Sequence, residues 1–262
     1  MLLDIQNRLQ VDDIRNWISF DSKKILEIGC GNGDLLKYIA TYFSPEFIVG
    51  IDPGLESWWS VGESSGDNWE VTPGNAECLD FEDNSFDAVI SISTFEHIDD
   101  IPKTLSEVKR VLRPYGRFYT SFMPIWSSIM GHHFIAPGES TWNEKHLTLI
   151  PPWGHLYMHE DEMRIHLESL NASETLVEEI LQFVYHSDII NRTSKPEIVD
   201  AVHKSGMIVR SYSEQMRFSR LAIPNQNELT NEISEKIVAA GHTLSDVGVS
   251  GLKLCLEKLA AY

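Results

Sequence analysis

The chain has 262 residues, 42% hydrophobic and 23% charged, proportions of a folded globular protein that exclude wholesale disorder. Lys and Arg total 21 against 39 Asp and Glu, a net charge of −18 that opposes nonspecific binding to nucleic-acid backbones. No apolar run approaches the ~18 residues of a membrane span, and the N-terminal MLLDIQNRLQVDDIRNWI places acids and amides where a signal peptide carries its apolar stretch. We expect a cytoplasmic protein with no nucleic-acid partner and no membrane insertion; a homodimer is compatible with the sequence. Cys30, Cys78 and Cys255 are odd in number and far apart, which fits reduced thiols better than disulfides or a thiolate metal site.

Leu2, Ile5, Leu9, Ile14, Trp17 and Ile18 recur at helical spacing and predict an amphipathic helix within residues 1–20. A core follows over 21–122. Lys24 to Ile28 reads as a short buried strand that runs into Gly29-Cys30-Gly31-Asn32-Gly33. Leu35, Leu36, Ile39, Ala40 and Phe43 then repeat helically, Pro45 ends that helix, and Phe47 to Ile51 is a second strand closed by Asp52-Pro53-Gly54. Strand, glycine turn, helix and strand make a βαβ unit, hence a parallel sheet with a right-handed crossover. Trp69 to Thr72 and Phe86 to Ser93 predict two more strands. Asp99 or Asp100 can cap a helix with Pro102 in its first turn and Ile101, Leu105, Val108 and Leu112 on its buried face. Pro114-Tyr115-Gly116 reads as a turn before a fifth strand, Arg117 to Phe122.

The stretch 123–191 breaks this rhythm with Trp126, Trp142, Trp153, the pair Pro151-Pro152 and seven of the ten histidines, and is expected to be an inserted substrate cap. The remainder, 192–262, is expected to return to the core sheet. Ser194 and Glu197 suggest a capping box opening a helix that Gly206 closes, with strands at 207–211 and 247–256. The fold class is therefore α/β: one domain with a doubly wound, seven-stranded, mostly parallel sheet and an inserted cap.

A glycine-rich turn between a strand's carboxyl end and a helix is where open α/β sheets bind ligands, because the backbone can approach and the helix end offers free N–H groups. An acid ending the next strand can hold a ribose diol; Asp52 lies 19 residues after Gly33. This pairing points to an adenosine-containing ligand. A dinucleotide fingerprint counted from Gly29 needs glycine at position 34, where the chain has Asp34.

Four blocks in order, ILEIGCGNGDLL (25–36), VGIDPG (49–54), GNAECLDFEDNSFDAVISISTFEHIDD (74–100) and RVLRPYGRFYTSF (110–122), resemble the small-molecule branch of the class I S-adenosylmethionine-dependent methyltransferases, with the antiparallel pair at the sheet edge supplied by the last two strands. The resemblance implies S-adenosyl-L-methionine as cofactor, S-adenosyl-L-homocysteine as product, and no metal. It implies that Gly29, Cys30, Gly31 and Gly33 line the methionine part with Glu27 just behind, that Asp52 takes the ribose hydroxyls and that Pro53 abuts the adenine. It places Asn75, Ala76 and Glu77 at the adenine edge, Ile92, Ser93 and Thr94 beside the cofactor's amino acid end, and His97 near the reacting methyl. Cys30 also fits as a merely small side chain, Glu77 as a solvated turn residue and His97 as a helix brace.

A hydroxyl acceptor needs a proton acceptor, for which His97 is the first candidate, followed in the cap by His132, His133, His146 and His155, with His133 and His155 as the named choices. The cap tryptophans suit either a core of their own or stacking on a sugar or aromatic ring, and PPWGHLYM (151–158) loosely resembles methyltransferases of surface-polysaccharide biosynthesis. Trp58-Trp59 is expected to pack over the adenine edge. The expected activity is methyl transfer to a small molecule at oxygen. Transfer to nitrogen or carbon, a non-catalytic cofactor-binding module and a nicotinamide-dependent oxidoreductase are the alternatives.

Overall fold

A computed structural model describes residues 2–56, 62–138, 149–215 and 228–260. Trp58, Trp59, Trp142 and His146 lie outside them. The chain divides into two compact units: residues 1–122, 199–213 and 253–262 form the first, and 123–198 with 214–252 the second.

The first unit carries a seven-stranded sheet of β1 (Lys24–Ile28), β2 (Phe47–Ile51), β3 (Trp69–Thr72), β4 (Phe86–Ile92), β5 (Leu112–Phe122), β6 (Ile208–Gln215) and β7 (Gly251–Glu257), in the order β3-β2-β1-β4-β5-β7-β6. The ladders β3·β2, β2·β1, β1·β4 and β4·β5 are parallel. The winding direction reverses between β1 and β4, and Ile28 is in register with Ser91, so the chain segments leaving these two strands start side by side. That reversal is where an open parallel sheet leaves a crevice.

Helices α1 (Leu2–Ile14), α2 (Asp34–Tyr42) and α3 (Ile101–Val111) accompany these strands. Leu35, Leu36 and Ile39 recur at helical spacing and give α2 one buried face, which joins Val11, Ile14, Ile25, Ile48 and Ile90 in one cluster. Each such fully buried side chain contributes about 1.5–3 kcal/mol. Asp100 caps α3 by accepting from the Lys103 N–H at 2.9 Å, with Pro102 in the first turn where its missing N–H costs nothing. The expected turn at Pro114-Tyr115-Gly116 lies inside β5, which begins at Leu112 and slips its register against β4 there.

The second unit has its own core of Phe134, Ile150, Met163, Leu167, Val177, Ile180, Leu181 and Val184. Its helices are α4 (Gly154–Tyr157), α5 (Glu160–Ser169), α6 (Glu174–Leu181), which continues as a π-helical turn through His186, α7 (Lys195–Lys204), α8 (Glu228–Ala239) and α9 (Leu244–Val247), with α7 passing into the first unit at Val199. The second unit extends beyond the expected 123–191 cap: 192–198 and 214–252 also belong to it, a pairing set by non-local contacts that no local periodicity announces. At Ser194 both the N–H and the hydroxyl donate to the Glu197 carboxylate, at 2.8 and 2.6 Å, so the reciprocal half of the expected capping box is replaced.

Candidate cofactor cleft and active site

Three glycines give the turn after β1 its shape. Gly29, Gly31 and Gly33 have φ of 74°, 52° and 81°, a backbone region costly to other residues. The Gly29 and Cys30 N–H groups both donate to the Ile51 carbonyl, at 2.8 and 3.1 Å, which ties the turn to the end of β2. A Cβ at Gly29 would sit 2.0 Å from Thr94 Oγ1 and 2.7 Å from Thr94 Cβ, so the turns after β1 and β4 touch at this glycine. Gly33 opens α2, and a Cβ there would lie 2.7 Å from Val71 Cγ2.

Asp52, buried at the end of β2, accepts from the Gly31 N–H at 3.0 Å and from the Gly54 N–H at 2.7 Å. The turn and the acid, 21 residues apart, are therefore bonded directly. Glu27 is 3% exposed, and its Oε2 has no hydrogen-bond partner among the described residues. Burial, reinforced by the Asp52 and Asp34 carboxylates and opposed by a bond from the Leu36 N–H, pushes its pKa up to about 8. Cys30 is also buried, and burial followed by the Glu27 and Asp52 charges pushes its thiol strongly up, so it stays protonated. A Cβ on Gly50 would meet the Cys30 Cβ at 2.7 Å, the packing reason for a small side chain at position 30.

The other residues flanking the turn fall into three groups. Pro53 is exposed at the start of a 3-10 turn running to Glu56. Asn75 Oδ1 accepts from the Glu77 N–H at 2.8 Å, Ala76 is buried, and Glu77 Oε1 accepts from the Asp100 N–H at 3.0 Å, so the Glu77 carboxylate is engaged at the start of α3. At the carboxyl end of β4, Ile92 is half-buried, Ser93 is exposed with φ 51°, and the Thr94 hydroxyl donates to the Ile92 carbonyl at 3.0 Å. His97 is exposed at the end of the 3-10 turn Phe95–His97, whose Phe95 packs on Phe118 and Phe122.

The first unit thus carries every cofactor candidate, with His97 as its catalytic candidate. His133 and His155 belong to the second unit. His133 Nδ1 lies 2.8 Å from the Gly131 carbonyl. His155 is 6% exposed, donates from Nε2 to the Trp126 carbonyl at 2.8 Å and packs edge-on against Trp126 and His132. Burial lowers its pKa to about 4, against the pull of that carbonyl, and so weak a base is poorly suited to take a substrate proton. His155 is thus a buried residue of this unit. Trp126 and Trp153 likewise serve the unit itself, Trp153 Nε1 donating to the Val247 carbonyl at 2.9 Å and Arg192 lying over the Trp126 ring.

Sequence reasoning missed Arg110 and Glu107. Arg110 donates to the Leu79 and Phe81 carbonyls and to Asp83 and Glu107, all within 2.9 Å, and Glu107 accepts from the Leu79 N–H at 2.9 Å. Together they fasten the β3–β4 loop, which begins with Asn75-Ala76-Glu77, onto α3. Arg110 opens the last motif block, but a four-acceptor clamp has no signature in one sequence.

Residues 26–120 match the family model described as a methyltransferase domain. Over these residues the chain carries a methyltransferase domain similar to those of the S-adenosylmethionine-dependent methyltransferases. The domain is similar to the fatty-acid O-methyltransferase of Mycolicibacterium smegmatis, 35% identical over 40% of this chain and 39% of that protein. It also resembles the demethylmenaquinone methyltransferase of Symbiobacterium thermophilum, 38% identical over 36% of this chain and 40% of that protein. The chain thus spans about two fifths of the length of these relatives. At the level of the fold, the S-adenosylmethionine-dependent methyltransferase from Mesorhizobium loti superposes with a TM-score of 0.53 at 15% identity, covering 94% of this chain and 96% of that one. The methyltransferase domain displaces the oxidoreductase alternative, consistent with Asp34 beginning α2 where a dinucleotide fingerprint needs glycine. No helix among the described residues is long and apolar enough to cross a membrane.

Proposed function

We propose that the chain transfers a methyl group from S-adenosylmethionine to the oxygen of a small molecule. The reading rests on one observation, the hydrogen bond from the Gly31 N–H to Asp52 that joins the glycine turn to a buried carboxylate. The residues fit the cofactor: a turn of three left-handed glycines, a diol-accepting acid, and a buried carboxyl at Glu27 with an unpartnered oxygen. When bound, S-adenosylmethionine supplies a methyl group already activated on a sulfonium sulfur.

The chain's own work is then to bind and align. Asp52 holds the ribose hydroxyls. The Gly29–Gly33 backbone lies along the methionine part, and Asn75, Ala76 and Glu77 border the adenine through backbone atoms, since the Glu77 carboxylate is taken by Asp100. Ile92, Ser93 and Thr94 flank the amino acid end. His97, exposed beside that end, accepts the proton of the acceptor hydroxyl. The oxygen preference is supported by this histidine and by the name of the fatty-acid O-methyltransferase relative.

Calorimetry with S-adenosylhomocysteine tests the binding half. Asp52→Ala is expected to weaken binding about 10- to 100-fold, as loss of hydrogen bonds to a charged group does; no binding by the unaltered chain would overturn the proposal. Methyl transfer to an alcohol or carboxylic acid is expected to fall about 100-fold in His97→Gln with the cofactor KM held. An unchanged kcat, or methyl recovered on nitrogen or carbon, counts against the oxygen reading.

A further inference from the structure

We infer that the methyltransferase domain carries a second ligand pocket, at the end of the sheet opposite the glycine turn, that takes a phosphate ester bearing a flat ring, the chemistry of a nucleotide. The pocket has a volume of about 340 Å³, within the range of small-molecule sites, and lies where β1, β4 and β5 begin. Trp17, Lys23, Asp87, Arg113, Tyr115 and Arg117 are among the residues lining it. None of them belongs to the cofactor cleft.

Two independent observations point to such a ligand. The first is charge. Three cations face one acid here, in a chain whose net charge is −18. Their hydrogen bonding is incomplete. Arg113 donates from Nη1 to Asp87 and from Nε to the Asn84 carbonyl, and Arg117 donates from Nη1 to the Trp17 carbonyl and from Nε to Glu257. Glu257 is itself shared with Arg210. Among the described residues neither Nη2 has an acceptor, and Lys23 only approaches Asp87, at 3.8 Å. Arginine and lysine are donors alone, so such N–H groups around one pocket suit an oxyanion with several acceptors.

The second is Tyr115. It has φ 65°, in the left-handed region where a non-glycine residue is strained, yet the residue is 66% exposed and gains little from burial. Glycine would hold this bend at lower cost. An aromatic ring kept there, on the rim of a cationic pocket, is placed to stack on a flat ring.

Titration with guanosine 5′-monophosphate, a probe without adenine, tests this beside inorganic phosphate. Guanosine 5′-monophosphate is expected to bind at least tenfold more tightly than phosphate, and more weakly as salt rises. Tyr115→Gly is expected to weaken the nucleotide about tenfold while holding or raising Tm by about 2 °C, so misfolding cannot explain the loss. Lys23→Gln should weaken both ligands several-fold, and Asp52→Ala neither. Absent binding, phosphate binding as tightly as the nucleotide, a Tyr115→Gly affinity equal to wild type, or loss in Asp52→Ala would each overturn the inference. The last outcome would place the nucleotide in the cofactor cleft, and the pocket fails without touching the methyltransferase reading.

Discussion

A single missing Cβ lets the turns after β1 and β4 meet. Gly29 combines a left-handed φ of 74° with Thr94 atoms standing where a methyl group would go. Gly138 has a similar φ, 83°, but open space around its missing Cβ. Alanine at 138 therefore pays only the conformational cost, about 1 kcal/mol, whereas alanine at 29 must also push apart the turns after β1 and β4. Gly29→Ala is expected to lower stability by at least about 3 kcal/mol and to abolish S-adenosylhomocysteine binding, with Gly138→Ala lowering Tm by only a few degrees. Equal shifts in the two melting curves would refute this account. At this scale the turn was legible: Gly29, Gly31 and Gly33 stood out because a left-handed turn demands one residue type, and Asp52 because it ends the strand to which that turn is bonded. The surroundings of His155 were not legible: its ring serves a carbonyl of Trp126, and a histidine that packs looks in sequence like a histidine that reacts.

Among the elements, α3 does more than cover the sheet. Through Glu107 and Arg110 it holds the loop from Asn75 to Asp83, so the border proposed for the adenine is set by a helix whose own residues stand outside the proposed cofactor contacts. Arg110→Ala removes bonds to two carbonyls and two carboxylates and is expected to cost about 2–3 kcal/mol. Hydrogen exchange over 75–83 should quicken, and S-adenosylhomocysteine affinity should drop about tenfold; Arg110→Lys should rescue little, because an ammonium lacks the planar fork. Exchange unchanged in that loop would separate the clamp from the cleft. The strands and helices flanking it were readable from periodicity and caps, Asp100 and Pro102 above all. The second unit was not. Its 214–252 segment joins 123–198 through packing that is distant in sequence, and the π turn after α6 and the left-handed Trp153 carry no local signal.

For the molecule as a whole, two buried groups set opposite pH limbs. Folded Glu27 keeps its proton to about pH 8, while the unfolded carboxyl loses it near 4.5, so its contribution is complete below 4.5 and shrinks as pH rises to about 8. His155 behaves inversely: the unfolded imidazole protonates near 6.5 and the folded one only at about 4, so its contribution is complete above 6.5 and drains away as pH falls to 4. Melting curves from pH 4 to 9 should show Glu27→Gln gaining on wild type toward alkali and His155→Gln gaining toward acid. Parallel profiles for wild type and variants would mean that neither group titrates differently in the folded chain.

The uneven surroundings of the three thiols have a practical consequence. Cys30 and Cys255 are enclosed, and burial raises both above the ordinary thiol range, while Cys78 stands in the open three residues past Asn75. An alkylating dye added to the native protein has one site to find, on the loop that α3 fastens. A fluorophore attached there would watch the side of the cleft proposed for the nucleoside without any engineered cysteine.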